Sequence, residues 1–134
     1  MTWRGMPEVC LIDTSAWISF FRGQEPVATA VDAALANGSA AICGMIELEV
    51  RQGLRSGEDE LLDLLQSTIR LPTQETDFAT AGDLLARLRR RGVTLPATDG
   101  LIAQVALSHG ARLLENDRHF ENITNLERYP WRDI

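Results

Sequence analysis

Apolar runs too short to be helices punctuate this chain, and the segments between them repeat apolar residues at helical spacing. Residues 8–12 (EVCLI) and 40–43 (AAIC) read as buried strands and 69–71 and 112–114 as a third and fourth strand, with a short fifth strand expected near 124–127. Residues 17–21, 26–36, 45–54, 58–67, 76–91 and 99–109 read as helices. In the segment 76–91 the apolar set is Phe78, Ala81, Leu84, Leu85 and Leu88, the helical period. Pro26 suits a first turn, while Asn37-Gly38, Gly92 and Gly110 are stop signals. Strands alternating with helices predict a three-layer α/β/α fold: a mainly parallel sheet of four to five strands with helices on both faces. With no repeat or linker-like tract, residues 1–134 read as a single domain.

Charge then narrows the chemistry. The net charge is −6 and the pI near 4.8, which argues against coating nucleic acid through general electrostatics. Contact with a phosphate backbone requires a local patch or metal ions. All 13 basic residues are arginine. The absence of lysine excludes a Walker A loop and counts against receiver domains and haloacid-dehalogenase-like phosphatases, whose acidic sites use one. Cys10 and Cys43 lie in apolar runs and read as a reduced, buried pair. Together with two distant histidines they do not make a zinc site. No apolar run approaches a membrane span and nothing reads as a signal peptide, so a cytoplasmic location is expected.

Asp13 follows the first strand and Asp117 the fourth, and Asp99 opens a helix leading back into a strand. Ligands of open parallel sheets bind beyond the carboxyl ends of the strands, which is where these acids fall. Carboxylates gathered there resist joint ionisation unless a cation balances them. An oxygen-only ligand set suits magnesium or manganese. Taken singly, Asp13 and Asp99 are also good helix caps, but capping does not call for three acids at one end of a sheet. The helix after the second strand adds Glu47 and Glu49, about 200° apart around its axis. Glu47 has Arg51 four residues on, the favourable order for a surface ion pair. Glu49 lies on the small-residue arc with Gly53, so the site role is expected of Glu49 and the solvated role of Glu47.

The order LIDTSAWI, ICGMIELEVRQG, TDGLIAQVALSHGARLLENDRHF resembles a PIN-domain nuclease, and more narrowly the VapC-type toxins of bacterial toxin–antitoxin pairs. The resemblance runs from Val9 to about Phe120. It implies a PIN-like fold with metal-binding, catalytic acids at Asp13, Glu49, Asp99 and Asp117, and a supporting hydroxyl at Ser15. It also implies a Mg2+-dependent endoribonuclease, with Mn2+ as a substitute, that cuts RNA such as tRNA or ribosomal RNA. A cognate VapB-type antitoxin as inhibitor and a homodimer come with it. Glu115 stands where many relatives carry Thr or Ser, and three roles are open to it: ligating metal, reaching an arginine, or pointing away. Alternative readings are a non-cleaving PIN-like module that binds RNA or protein, and a DNA-directed nuclease. Clustered repulsive acids favour the enzyme over the binding module.

Arg87, Arg89, Arg90 and Arg91 form the one basic run, either a solvated face that complements a helix dipole or an RNA-backbone contact. Of the aromatic residues behind Asp13, Phe20 or Phe21 is expected in the core, and Trp17 either there or in a partner groove. His109, in a helix's last turn, is expected to complement the dipole. The two histidines are too sparse for a metal-free ribonuclease.

Overall fold

The computed structural model describes residues 8–130. Four parallel strands, β1 (Cys10–Ile12), β2 (Ala40–Ile42), β3 (Ile69–Arg70) and β4 (Arg112–Leu114), form one sheet in the order β3-β2-β1-β4. Its helices are α1 (Thr14–Phe21), α2 (Val27–Ala36), α3 (Gly44–Gly53), α4 (Asp59–Gln66), α5 (Glu75–Arg90) and α6 (Ala97–His109), followed by a 3-10 turn over Arg118–Asn122. From β1 the chain winds outward through β2 to β3, then returns to place β4 on β1's other side. Cys10 pairs with both Ala40 and Arg112, and Leu11 with both Ala41 and Leu113. The strand order therefore reverses between β1 and β4, and a parallel sheet opens a crevice at such a point.

The apolar strands β1 and β2 are buried throughout, whereas the edge strand β3, Ile69-Arg70, is exposed. Leu11, Ile12, Ala41 and Leu113 are enclosed on both faces, and enclosing a side chain such as Leu11 stabilises by about 1.5–3 kcal/mol. Cys10 and Cys43 are free, buried thiols, and burial pushes Cys10 up to about 12. On α6, Gly100 faces Leu85 of α5 so closely that a Cβ there would lie 2.6 Å from the Leu85 Cγ. The two helices meet through that bare Cα, one residue from Asp99. Gly110 ends α6 in the left-handed region at φ 62°, as its sequence position predicts.

Two expectations are corrected and one open alternative is resolved. The fifth strand does not form: after the 3-10 turn Asn125 takes φ 69°, which breaks the extended backbone. Pairing is delayed to one parallel bridge between Leu113 and Arg128, where Leu113 N–H donates to Glu127 O at 2.8 Å. On α5, Phe78 is 55% exposed while Asp77 is buried. Asp77 turns inward because its carboxylate accepts from the Gln74 N–H at 2.8 Å and the Gln104 amide at 3.3 Å. Trp17 is wholly buried, its ring centroid 6.2 Å from Phe20 and 5.8 Å from Phe21. It is core, and Phe20 and Phe21 are the half-buried pair, which removes Trp17 from any partner groove.

Candidate active site

Asp13 ends β1 and caps α1, accepting from the Ser15 backbone N–H at 3.3 Å and from its hydroxyl at 2.7 Å. The Ser15 hydroxyl also accepts the Asn116 N–H at 3.0 Å, and the Asp13 N–H donates to Leu114 O at 2.9 Å. The ends of β1 and β4 are thus laced together where the strand order reverses. Asp13 is both cap and site-facing acid. Asp99 is not a cap. It sits inside the first turn of α6, behind Pro96, with its carboxylate toward the 3-10 turn. There Asp117 caps the turn, accepting the His119 N–H at 2.9 Å.

Glu49 reaches the same crevice from α3, where the Thr14 hydroxyl donates to it at 2.8 Å. Glu47 faces away and pairs with Arg51 at 2.9 Å and with Arg70 from β3. Those two arginines hold the Glu47 carboxyl below its usual range, the Arg70 hydrogen bond contributing most. The division of labour expected between the two glutamates matches this placement.

Asp13 is raised to about 6, first by burial and then by the Asp99 charge, with the Ser15 hydroxyl opposing. Asp99 is raised too, by burial and then by Asp117 and Glu49, with the His119 hydrogen bond opposing. Both acids feel the cluster's repulsion, but desolvation is the larger cause. Among the described residues no arginine pairs with Asp13, Glu49, Asp99 or Asp117. Donor atoms of Asp99, Asp117 and His119 lie within 4.8 Å of one another. Asp99 and Asp117, held at ligand spacing without an arginine, fit a hard divalent ion. Glu49 is near enough to raise the Asp99 carboxyl, and Asp99 to raise that of Asp13, but Glu49 and Asp13 stand outside that group.

The PIN domain family matches residues 10–126. The chain belongs to the PIN-domain family. VapC ribonuclease Mb1587 of Mycobacterium bovis is 33% identical over 134 residues, spanning 91% of this chain and 98% of that protein. By that identity this PIN domain falls among the VapC ribonucleases. Its backbone is similar to VapBC-1 from nontypeable Haemophilus influenzae, with a TM-score of 0.75 at 20% identity over 92% of this chain and 98% of that one. It is also similar to a toxin–antitoxin complex from Klebsiella pneumoniae, with a TM-score of 0.68 at 22% identity over 87% and 94% of the two chains. These structural likenesses speak to the fold.

Around this PIN site stand residues that sequence reasoning passed over. Asn116 latches α1 through the Ser19 hydroxyl at 2.9 Å. Thr14 orients Glu49, and His119 enters the acid cluster. Thr14 and Asn116 flank the singled-out Asp13 and Asp117, the one signal that points to them. Glu115 resolves toward the second of its three open roles. It is buried, accepts the Asp117 N–H at 2.7 Å and lies 3.7 Å from Arg128. Arg87, Arg89, Arg90 and Arg91 are exposed around the C-terminus of α5. Arg87 and Arg91 share a cleft of about 300 Å³ with Gln104, Asn122 and Asn125. A second cleft, of about 400 Å³, borders Glu49 and is edged by Arg22 and Arg55. His109 does stand in the last turn of α6, where its Nε2 lies 2.8 Å from Pro72 O.

Proposed function

We propose that this chain, working as one PIN-like unit in the cytoplasm, is a divalent-metal-dependent endoribonuclease. It is the toxin of a pair whose VapB-type antitoxin inhibits it, and it works as a homodimer. The observation that carries the reading is the gathering of Asp13, Glu49, Asp99 and Asp117 at the β1/β4 crevice with no arginine among the described residues to balance them. The relatives' names and the crowding of these acids support RNA hydrolysis at that point. Asp13, Glu49, Asp99 and Asp117 would hold Mg2+, with Mn2+ as a substitute. A bound ion supplies Lewis-acid activation of water and neutralises charge on the phosphoryl group.

The chain's own residues prepare the site. Ser15 fixes the Asp13 carboxylate, Thr14 fixes that of Glu49, and the His119 N–H fixes that of Asp117. Glu115 holds the Asp117 backbone from beneath, a supporting role away from the reacting groups. Preset carboxylates need no reorganisation during reaction, which is where electrostatic catalysis gains most. Arg87, Arg89, Arg90 and Arg91, exposed around the C-terminus of α5, offer guanidinium forks to RNA phosphates. In-line attack by water leaves a 5′-phosphate and a 3′-hydroxyl.

Purified chain incubated with tRNA and ribosomal RNA in Mg2+ or Mn2+ should cut and leave those ends. Chelator should stop it. Cutting that persists in metal-stripped protein, or cutting of DNA in preference to RNA, overturns the reading. Co-expression with a cognate VapB-type antitoxin should suppress the activity, and sizing of the free chain should give a dimer.

A further inference from the structure

We propose that His119 is a nitrogen ligand to the divalent ion of this site, and that it shifts the site's preference toward Mn2+. The inference rests on the proposed acid site and adds a donor of different chemistry to it. His119 Nδ1 lies 3.2 Å from Asp99 Oδ2 and 3.1 Å from Asp117 Oδ2. An octahedral ion with bonds of about 2.1 Å sets neighbouring ligand atoms about 3.0 Å apart, so these are the separations of adjacent vertices. Nδ1 carries at most one hydrogen, which serves one carboxylate. The contact with Asp99 has hydrogen-bond geometry and the contact with Asp117 is closeness alone. That hydrogen holds Nδ1 between the two oxygens in the metal-free site, and an ion entering there would displace it to water and take the Nδ1 lone pair.

The ring is also held in place. The His119 backbone N–H donates to Asp117 Oδ1 at 2.9 Å, which turns Oδ2 of the same carboxylate toward the ring Nδ1. Phe120, next along the 3-10 turn, is buried and pins that turn to the core. The His119 side chain itself is 52% exposed, so water can fill the remaining positions around an ion. Imidazole binds first-row transition ions far better than Mg2+ does, whereas carboxylates discriminate little between Mg2+ and Mn2+. One nitrogen donor among carboxylates therefore biases the site toward Mn2+.

The test uses full-length protein, Mn2+ and Mg2+ binding by calorimetry, and pulsed electron paramagnetic resonance of the Mn2+ form. The chain has only two histidines, and His109 sits at the far end of α6, which makes any nitrogen signal assignable. Modulation from a directly bound nitrogen is expected in the parent and in His109→Gln, and should vanish in His119→Asn. The Asn oxygen takes nearly the place of Nδ1, so Mg2+ affinity should change less than about threefold while Mn2+ affinity falls about 10-fold or more. Because the ring is half exposed, the variant should keep the parent's circular dichroism. Bound Mn2+ without nitrogen modulation, in a protein whose Asp99→Asn variant no longer binds it, overturns the histidine and leaves the acid site standing. Tighter Mn2+ binding by His119→Asn also overturns it, by showing that the ring competes with the ion. A parent that binds no Mn2+, or whose binding ignores Asp99→Asn, removes the acid site and this inference together.

Discussion

The two faces of α3 receive carboxylates of the same chemistry and treat them in opposite ways. Glu47 meets Arg51 one turn on and Arg70 from the neighbouring strand, and its carboxyl is held below the ordinary range. Glu49, two residues later, meets Thr14 and the charges around Asp99, where burial and repulsion raise Asp13 and Asp99. A chain with 13 arginines and a charge of −6 has cations to place, and none of the described ones pairs with the crevice acids. A neutralised acid is a structural element. An acid held without a counter-charge stores a demand for one, and only the second kind attracts a metal ion.

Activity should separate the two faces most widely. Asp99→Asn and Glu49→Gln should each lower RNA cleavage on the order of 100-fold or more, because each removes charge where the phosphoryl group needs it balanced. Glu47→Gln should stay within about twofold of the parent. Initial rates at matched folding and saturating metal decide this, and equal losses at Glu47 and Glu49 would erase the distinction between the faces.

Metal-linked stability comes next. Mg2+ at 100 times its dissociation constant should stabilise the folded parent by about 2.7 kcal/mol, since it binds only the native site. Denaturant unfolding with and without Mg2+ should show most of that gain lost in Asp99→Asn and all of it kept in Glu47→Gln.

Without metal the sign reverses. Asp13 folds with its carboxyl raised to about 6, so the native state binds the proton more tightly than the unfolded chain. Its contribution favours folding below the unfolded value near 3.8 and is lost as pH climbs through about 6. Asp13→Asn, which keeps the cap of α1, should therefore stabilise the metal-free protein at pH 7.5 by about 1–3 kcal/mol and flatten its profile between about pH 4 and 6. Glu47, lowered by its arginines, has the opposite sign: its contribution is present above its ordinary value of 4.5 and is lost as pH falls through its lowered one. A metal-free Asp13→Asn less stable than the parent at pH 7.5 would mean that burial and the neighbouring charges do not penalise the ionised Asp13 carboxylate.

The smallest effect belongs to the arginine face. Arg87→Gln with Arg91→Gln should weaken RNA binding a few-fold, with the salt dependence of log affinity falling by about 1.4 for two lost phosphate contacts. Unchanged binding at every salt concentration would assign that cleft to solvent.

Much of this was legible before any coordinates because it rests on short-range rules. Buried strands must be apolar on both faces, so EVCLI, AAIC and RLL declare themselves, and a carboxylate after such a strand lies at the sheet's binding edge. Glu47 and Glu49 separate by helix geometry alone, and Gly110 stops α6 because it tolerates the left-handed region. Other outcomes depend on residues far apart in the chain, which local pattern does not encode. Arg70 reaches Glu47 across 23 positions, and Asn116 reaches Ser15 and Ser19 across about 100. Phe78 yields its core place to Asp77 because Gln104, on another helix, supplies the hydrogen bond that lets a carboxylate be buried. The fifth strand failed for want of an extended backbone at Asn125, where φ is 69°. Sequence alone therefore determined the parallel sheet and the edge at which its acids gather, since both follow from periodicity and chain direction. Tertiary structure decided which side chains balance which charges, His119 between Asp99 and Asp117 among them, because Coulomb and hydrogen-bond energies depend on distances in space that separation along the chain does not set.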